Sequence, residues 1–86
     1  MGATLTLQIY TMKICLTRET TQRMAVEIAA RCPWLRVELI HLDEPGSIAP
    51  PEVFSVPTYV LDDKIVALGN PYLEHLEALI WRSKCQ

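Results

Sequence analysis

The chain has 86 residues, half of them hydrophobic and 21% charged, with a formal charge of −2. This length supports one modest core, so residues 1–86 are predicted to form a single domain. Acidic and basic residues are interspersed without a basic stripe, which argues against nucleic acid as a partner. No apolar run reaches the length of a membrane span, and the first residues lack a secretory signal pattern, so we expect a cytoplasmic protein with no membrane partner.

The first half of the chain predicts a strand, a helix and a second strand. "TLTLQIYT" alternates between an apolar face (Leu5, Leu7, Ile9) and a polar face (Thr4, Thr6, Gln8, Tyr10). A helix is predicted from about Thr17 to Arg31. The residues of its inward-facing stripe recur at helical spacing: Thr21, Met24, Ala25, Ile28, Ala29 and Cys32. Pro33 ends this helix, and "WLRVELIHLD" follows as a strand. Two strands joined by a helix predict a parallel βαβ unit.

The second half predicts a loop, a hairpin and a final helix. "EPGSIAPPEVFS" contains four helix breakers and has room for at most one helical turn. "PTYVLDDKIVAL" is typical of two short strands joined by a tight acidic turn at Asp62 and Asp63. In "NPYLEHLEALIWRSK" we expect Asn70 as N-cap and Pro71 at the first helical position. The apolar stripe of this helix is predicted to comprise Tyr72, Leu73, Leu76, Leu79 and Ile80.

The order of these elements, together with two segments, resembles the thioredoxin-like superfamily. "VFSVPTYVLDDKIVALG" resembles the second half of a thioredoxin or glutaredoxin, and "LQIYTMKIC" resembles the glutaredoxin start, with Cys15 at the first cysteine of the C-x-x-C motif. The resemblance spans residues 4–82. It implies a thioredoxin-like α/β fold, ordered β-α-β-loop-β-β-α, with a four-stranded mixed sheet and two main helices on one face. It also implies that Pro57 is the family's cis-proline and faces the cysteine loop.

Two departures from the family pattern bear on function. Arg18 occupies the place of the second cysteine, giving "CLTR", and "LGNP" retains only Gly69 of the glutaredoxin Gly-Gly-x-Asp segment that helps to bind glutathione. A sulfur at a helix N-terminus feels a partial positive charge, and Arg18 adds a full one, so both favour the nucleophilic thiolate of Cys15. Without a resolving cysteine, a mixed disulfide at Cys15 persists until an outside thiol such as glutathione attacks it.

Three functions are compatible with this pattern. The first is monothiol thiol–disulfide exchange, with Cys15 and Arg18 as catalytic residues, glutathione as reductant and no resident cofactor. The second is a non-catalytic module that binds a peptide or a partner protein at the cis-proline edge. In that reading Cys15 is a small apolar residue left from an ancestral motif. The third is an iron–sulfur or glutathione carrier, although "CLTR" differs from the Cys-Gly-Phe-Ser of monothiol glutaredoxins. The expected substrate-contacting residues are Lys13, Val56, Pro57, Thr58 and Gly69.

The remaining expectations concern the other cysteines, metals and assembly. Cys32 and Cys85 are expected to be free thiols, and His41 and His75 lack neighbours at metal-ligand spacing. The loop before Val56 cannot supply a full covering helix, so one sheet face should be partly uncovered. Its apolar strip is predicted to contain Ile40 and Leu42, with hairpin residues and Ile48, Val53 or Phe54. A homodimer, or a partner protein, is the expected cover.

Overall fold

The computed structural model describes residues 5–12, 17–44, 46 and 56–84. These residues form four strands and two helices in the predicted order. They are β1 (Thr6–Thr11), α1 (Arg18–Arg31), β2 (Arg36–His41), β3 (Thr58–Leu61), β4 (Lys64–Leu68) and α2 (Leu73–Lys84). In this part of the chain, no helix combines the length and apolar character needed to cross a membrane.

The four strands form one mixed sheet in the order β2-β1-β3-β4. β1 and β2 are parallel and connected through α1, which confirms the predicted βαβ unit, whereas β3 runs antiparallel to both β1 and β4. β1 is therefore central. Ile9 lies opposite Leu39 on one side and Tyr59 on the other, so one row of side chains crosses three strands. This arrangement is the mixed α/β sheet that the sequence predicted.

The core lies between the sheet and the two helices. Leu7 and Ile9 of β1 are fully buried, as the alternation of the first strand predicted, and they belong to one cluster with Ile28 of α1 and Leu76 and Ile80 of α2. Burying one such side chain completely contributes about 1.5–3 kcal/mol. Because residues from both helices join the same cluster, the helices share one face of the sheet and hold each other in place.

Two residues assigned to apolar stripes are instead exposed. Ala29 lies on the solvent side of α1, because it falls at the margin of the face that contains Met24 and Ile28. Tyr72 is 75% exposed because it precedes α2, which begins at Leu73. The ring of Tyr72 lies edge-on to His75, with 5.7 Å between ring centroids. Both expectations about these side chains were therefore wrong, although the helices that they belong to or precede were predicted correctly.

The turn between β3 and β4 has the predicted acidic pair. Asp62 and Asp63 both have positive φ, at 46° and 71°, as the favoured two-residue hairpin turns require. Aspartate tolerates this conformation better than most residues. Asp62 also connects the turn to β1, because its Oδ1 accepts a hydrogen bond from the Thr6 N–H at 2.9 Å and its own N–H donates to the Thr6 carbonyl at 3.0 Å. Glycine could make the backbone contact but not the side-chain contact.

The sheet face opposite the helices has a polar half, as predicted for Thr6 and Gln8. Tyr10 Oη donates to Gln8 Oε1 at 3.4 Å, and Gln8 Nε2 donates to Glu38 Oε1 at 3.2 Å. Tyr10 itself is only 3% exposed, and burial raises its pKa, helped by the charges of Glu38 and Asp63. Ile40 and Leu42 are half-buried. The loop residues assigned to the apolar strip, Ile48, Val53 and Phe54, lie outside the described residues.

Candidate functional site

The candidate site lies where the end of β1, the start of α1 and the start of β3 meet. β1 ends at Thr11 and α1 begins at Arg18, so the sequence between them connects the sheet to a helix N-terminus. Because β3 runs antiparallel to β1, its first residue, Thr58, lies opposite Tyr10 near the end of β1. The predicted residues Lys13 and Cys15 belong to this connection in the sequence, but they lie outside the described residues.

Pro57 and Gly69 are brought together by a backbone hydrogen bond. The Val56–Pro57 peptide bond is cis, the isomer that the resemblance implied, and Pro57 is buried. The Gly69 N–H donates to the Pro57 carbonyl oxygen at 2.7 Å. Gly69 has φ +85°, a conformation that glycine adopts without the steric cost of a Cβ atom. Four predicted substrate-contacting residues, Val56, Pro57, Thr58 and Gly69, are thus neighbours at the end of the sheet where β3 begins.

Asn70 has a different role from the predicted helix cap. α2 begins at Leu73, and the Leu76 N–H donates to the Tyr72 carbonyl at 3.0 Å, so Tyr72 occupies the N-cap position. The Asn70 side chain instead makes tertiary contacts. Its Oδ1 accepts hydrogen bonds from Tyr59 Oη at 2.6 Å and from Thr21 Oγ1 at 3.0 Å. One amide oxygen therefore connects β3 to the first turn of α1.

The two hydroxyl groups that meet at Asn70 belong to fully buried residues. Tyr59 and Thr21 both have no exposed surface, and burial raises the pKa of Tyr59 to about 12. A buried hydroxyl without a hydrogen bond costs about 1–3 kcal/mol, so Asn70 provides the acceptor that the Tyr59 hydroxyl needs, and it is a second acceptor for Thr21, which also bonds the Thr17 carbonyl. The sequence alone did not predict this network. Its one local signal is Thr21, a hydroxyl-bearing side chain within the apolar stripe of α1.

A further buried hydroxyl lies at the end of β1. Thr11 has no exposed surface, and its Oγ1 has no hydrogen-bond partner within the described part of the chain. Thr11 stands directly before the connection to α1 and shares the helix-facing side of β1 with Leu7 and Ile9. An unpaired buried hydroxyl is uncommon in folded proteins, and it tends to mark a place where a further polar contact completes the structure.

The guanidinium of Arg18 and the thiol of Cys32 lie at opposite ends of α1, in different surroundings. Arg18 is the first residue of α1 and is exposed to solvent. Cys32 lies at the other end of that helix, is fully buried and is a free thiol, as expected. Burial raises the pKa of Cys32, and the charge of Glu77 adds to this effect. A buried thiol with a raised pKa is unreactive, so Cys32 is a natural reference for cysteine chemistry elsewhere in the chain.

The site offers no arrangement for metal chemistry in its described part. Among residues 5–12, 17–44, 46 and 56–84, no three histidine, cysteine, aspartate or glutamate side chains lie close enough together to hold a metal ion. The described site consists of backbone groups near Pro57, the start of a helix and a buried hydroxyl network. Such a surface can meet an extended substrate through the backbone groups next to Pro57 and can stabilise an anion at the helix N-terminus.

Comparison with known proteins identifies the architecture. No protein-family model matches the chain, and no curated protein matches it. Among solved structures, the chain is similar to thioredoxin O2 from Arabidopsis thaliana in its oxidized state, with a TM-score of 0.73 and 16% sequence identity. The similarity covers 94% of this chain and 76% of the thioredoxin. At this identity the likeness establishes the fold and leaves the activity to be argued from the site. The chain therefore has a thioredoxin-like fold.

Proposed function

We propose that this protein is a monothiol thiol–disulfide exchanger that uses Cys15 as its nucleophile. The solved structure that it resembles is a thioredoxin, which supports a redox role. The observation that carries the proposal is the hydrogen-bonded connection of Thr21 and Tyr59 through Asn70. This connection holds the start of α1 beside the start of β3. Cys15 stands three residues before Arg18 in the sequence, so it belongs to the segment that enters this helix.

The surroundings of a thiol in that segment favour its ionised form. The first turn of an α-helix carries about half a positive charge, and a thiolate nearby is stabilised by it. Arg18, the first residue of α1, adds a full positive charge. Both effects lower the pKa of a nearby thiol and raise the fraction of thiolate, the form that attacks disulfides.

The reaction proceeds in steps that each exchange one sulfur–sulfur bond for another. The Cys15 thiolate attacks one sulfur of a substrate disulfide, a bond forms between Cys15 and that sulfur, and the second substrate sulfur leaves with the electron pair and takes a proton from water. A glutathione thiolate then attacks Cys15, which releases the bound half of the substrate as a thiol. A second glutathione regenerates the Cys15 thiolate and forms glutathione disulfide. The substrate gains two electrons, and two glutathione molecules supply them.

An outside thiol is needed because Arg18 stands where a second cysteine would be. In a dithiol enzyme the second cysteine resolves the mixed disulfide from within the same loop. Here Arg18 holds that position in the sequence. Cys32 is buried with a raised pKa at the far end of α1, so it is unsuited to take over the resolving step. The proposal therefore includes glutathione, or a small thiol of the same chemistry, as an obligatory co-substrate.

The test is the reduction of bis(2-hydroxyethyl) disulfide by glutathione in the presence of the protein. Cys15→Ser should remove the protein-dependent rate, whereas Cys32→Ala and Cys85→Ala should keep most of it. Alanine is the matched replacement at Cys32, because serine places a hydroxyl in the core. Equal loss in all three variants, or no protein-dependent rate in the native chain, would contradict the proposal. The second result would favour a module that binds a peptide or a partner protein beside Pro57.

A further inference from the structure

We propose that Asn70 is a positioning residue for the exchange reaction, an inference that rests on the function proposed above. The role of Asn70 is indirect and acts through its hydrogen-bond partners. It fixes the first turn of α1 against β3, and the proposed function requires this helix N-terminus to keep its place. Asn70 follows Gly69 in the segment where glutaredoxins have a glutathione-binding motif, and here its side chain bonds within the protein.

Three hydrogen bonds converge on the two residues Gly69 and Asn70. The Gly69 N–H donates to the Pro57 carbonyl at 2.7 Å, which attaches the segment to the start of β3. Tyr59 Oη donates to Asn70 Oδ1 at 2.6 Å, a short bond from the same strand. Thr21 Oγ1 completes the set from α1, at 3.0 Å from the same oxygen. The segment is thus fixed to Pro57, to Tyr59 of β3 and, through Thr21, to the helix.

Thr21 links this network to the first backbone hydrogen bond of α1. Its N–H donates to the Thr17 carbonyl at 2.9 Å, and its Oγ1 lies 3.0 Å from that same carbonyl oxygen. A hydroxyl has one proton, so Thr21 shares it between Thr17 and Asn70. A displacement of Asn70 therefore changes the hydrogen bond from Thr21 to Thr17, the residue directly before α1. Thr17 is also two residues after Cys15 in the sequence.

The network is buried, so a change in its geometry is passed to the first turn of α1. Thr21 and Tyr59 are fully buried, so water cannot replace a lost hydrogen bond without opening the core. The electrostatic effect of a helix N-terminus falls off within the first turn. A small tilt of that turn therefore changes the stabilisation of a nearby thiolate, even when the fold as a whole is retained.

The experiment measures the thiol pKa of Cys15 from the pH dependence of its alkylation by iodoacetamide, with Cys32 and Cys85 replaced by alanine. Thr21→Val removes the hydroxyl at nearly constant volume, and Thr21→Ser retains it. The matched control is Thr20→Val, the same change at the exposed neighbouring position. We expect Thr21→Val to raise the pKa by about 0.5, which lowers the alkylation rate about threefold at pH values below the Cys15 pKa, where the thiolate fraction limits the rate. Thr21→Ser and Thr20→Val should stay close to the parent value.

A second variant tests the same link from the other side. Asn70→Ala removes the shared acceptor and should raise the Cys15 pKa by a similar amount. The double variant Thr21→Val/Asn70→Ala should show a shift no larger than either single change, because both remove one connection. Asn70→Ala also carries the test if Thr21→Val fails to fold, since Asn70 lies outside the core cluster.

The outcomes separate the positioning role from the function itself. If the Cys15 pKa is low in the parent and unchanged in Thr21→Val and Asn70→Ala, while both lose stability, Asn70 is purely structural and this inference is wrong. The exchange reaction would then still stand. If the parent pKa is that of an ordinary thiol, the proposed function and the role of Asn70 are both contradicted. A low parent pKa that rises in both variants and is rescued in Thr21→Ser supports the inference.

Discussion

Tyr59→Phe provides a direct measurement of how the core holds a hydroxyl beside the candidate site. The substitution removes one oxygen atom and leaves the ring that packs between Ile9 and Ala67 in the sheet register. At pH 9 we expect the variant to be about 1 kcal/mol less stable than the native protein, because the 2.6 Å bond from Tyr59 to Asn70 is lost. Asn70 keeps its contact with Thr21, which limits the cost.

The difference between the two proteins should change with pH in a defined direction. Burial raises the pKa of Tyr59 from 10.0 to about 12, so the unfolded chain loses this proton before the folded protein does. Between pH 10 and 12 the folded state binds more protons, and stability therefore falls as the pH rises. At pH 11 the lost stability is about 1.4 kcal/mol, the equivalent of one pKa unit. This loss occurs only in the protein that retains the hydroxyl.

The assay is urea unfolding of both proteins at pH 9, 10 and 11. Every other titratable group is present in both proteins, so its contribution cancels in the difference. The advantage of the native protein should shrink by about 1.4 kcal/mol from pH 9 to pH 11, so that the phenylalanine variant becomes at least as stable. A difference that stays constant across this range would show that the Tyr59 hydroxyl ionises like that of a free tyrosine.

Two further predictions concern the hairpin and the assembly. Asp63→Gly should stabilise the protein by about 0.5–1 kcal/mol, because glycine adopts φ +71° without steric cost, and the gain is measured as a higher Tm. Asp63→Ala removes the same charge but keeps a Cβ atom, so it should give no such gain; an equal gain would point to the charge instead. Sedimentation at micromolar concentration should show a dimer, since β4 exposes Ile65 and Leu68, and a monomer of about 10 kDa would contradict it.

The sequence by itself determined the elements whose signals are local. The alternation around Leu7 and Ile9 predicted which face of β1 is buried, and the adjacent acids at Asp62 and Asp63 predicted the hairpin turn. These patterns work because the neighbours along the chain set the periodicity and the turn conformation. The order of the elements then limited the connections to a parallel βαβ unit followed by an antiparallel hairpin, which the sheet confirms.

Tertiary structure decided what the polar residues at the site do. Asn70 followed by Pro71 has the local pattern of a helix start, yet α2 begins at Leu73 and Asn70 accepts hydrogen bonds from residues 49 and 11 positions away. Tyr10 was correctly placed on the polar side of its strand, but its burial depends on strands that flank it. Local sequence sets which hydroxyls and amides exist, whereas the folded core removes water from them. Their partners are then chosen by whichever distant residue the packing brings within hydrogen-bond distance.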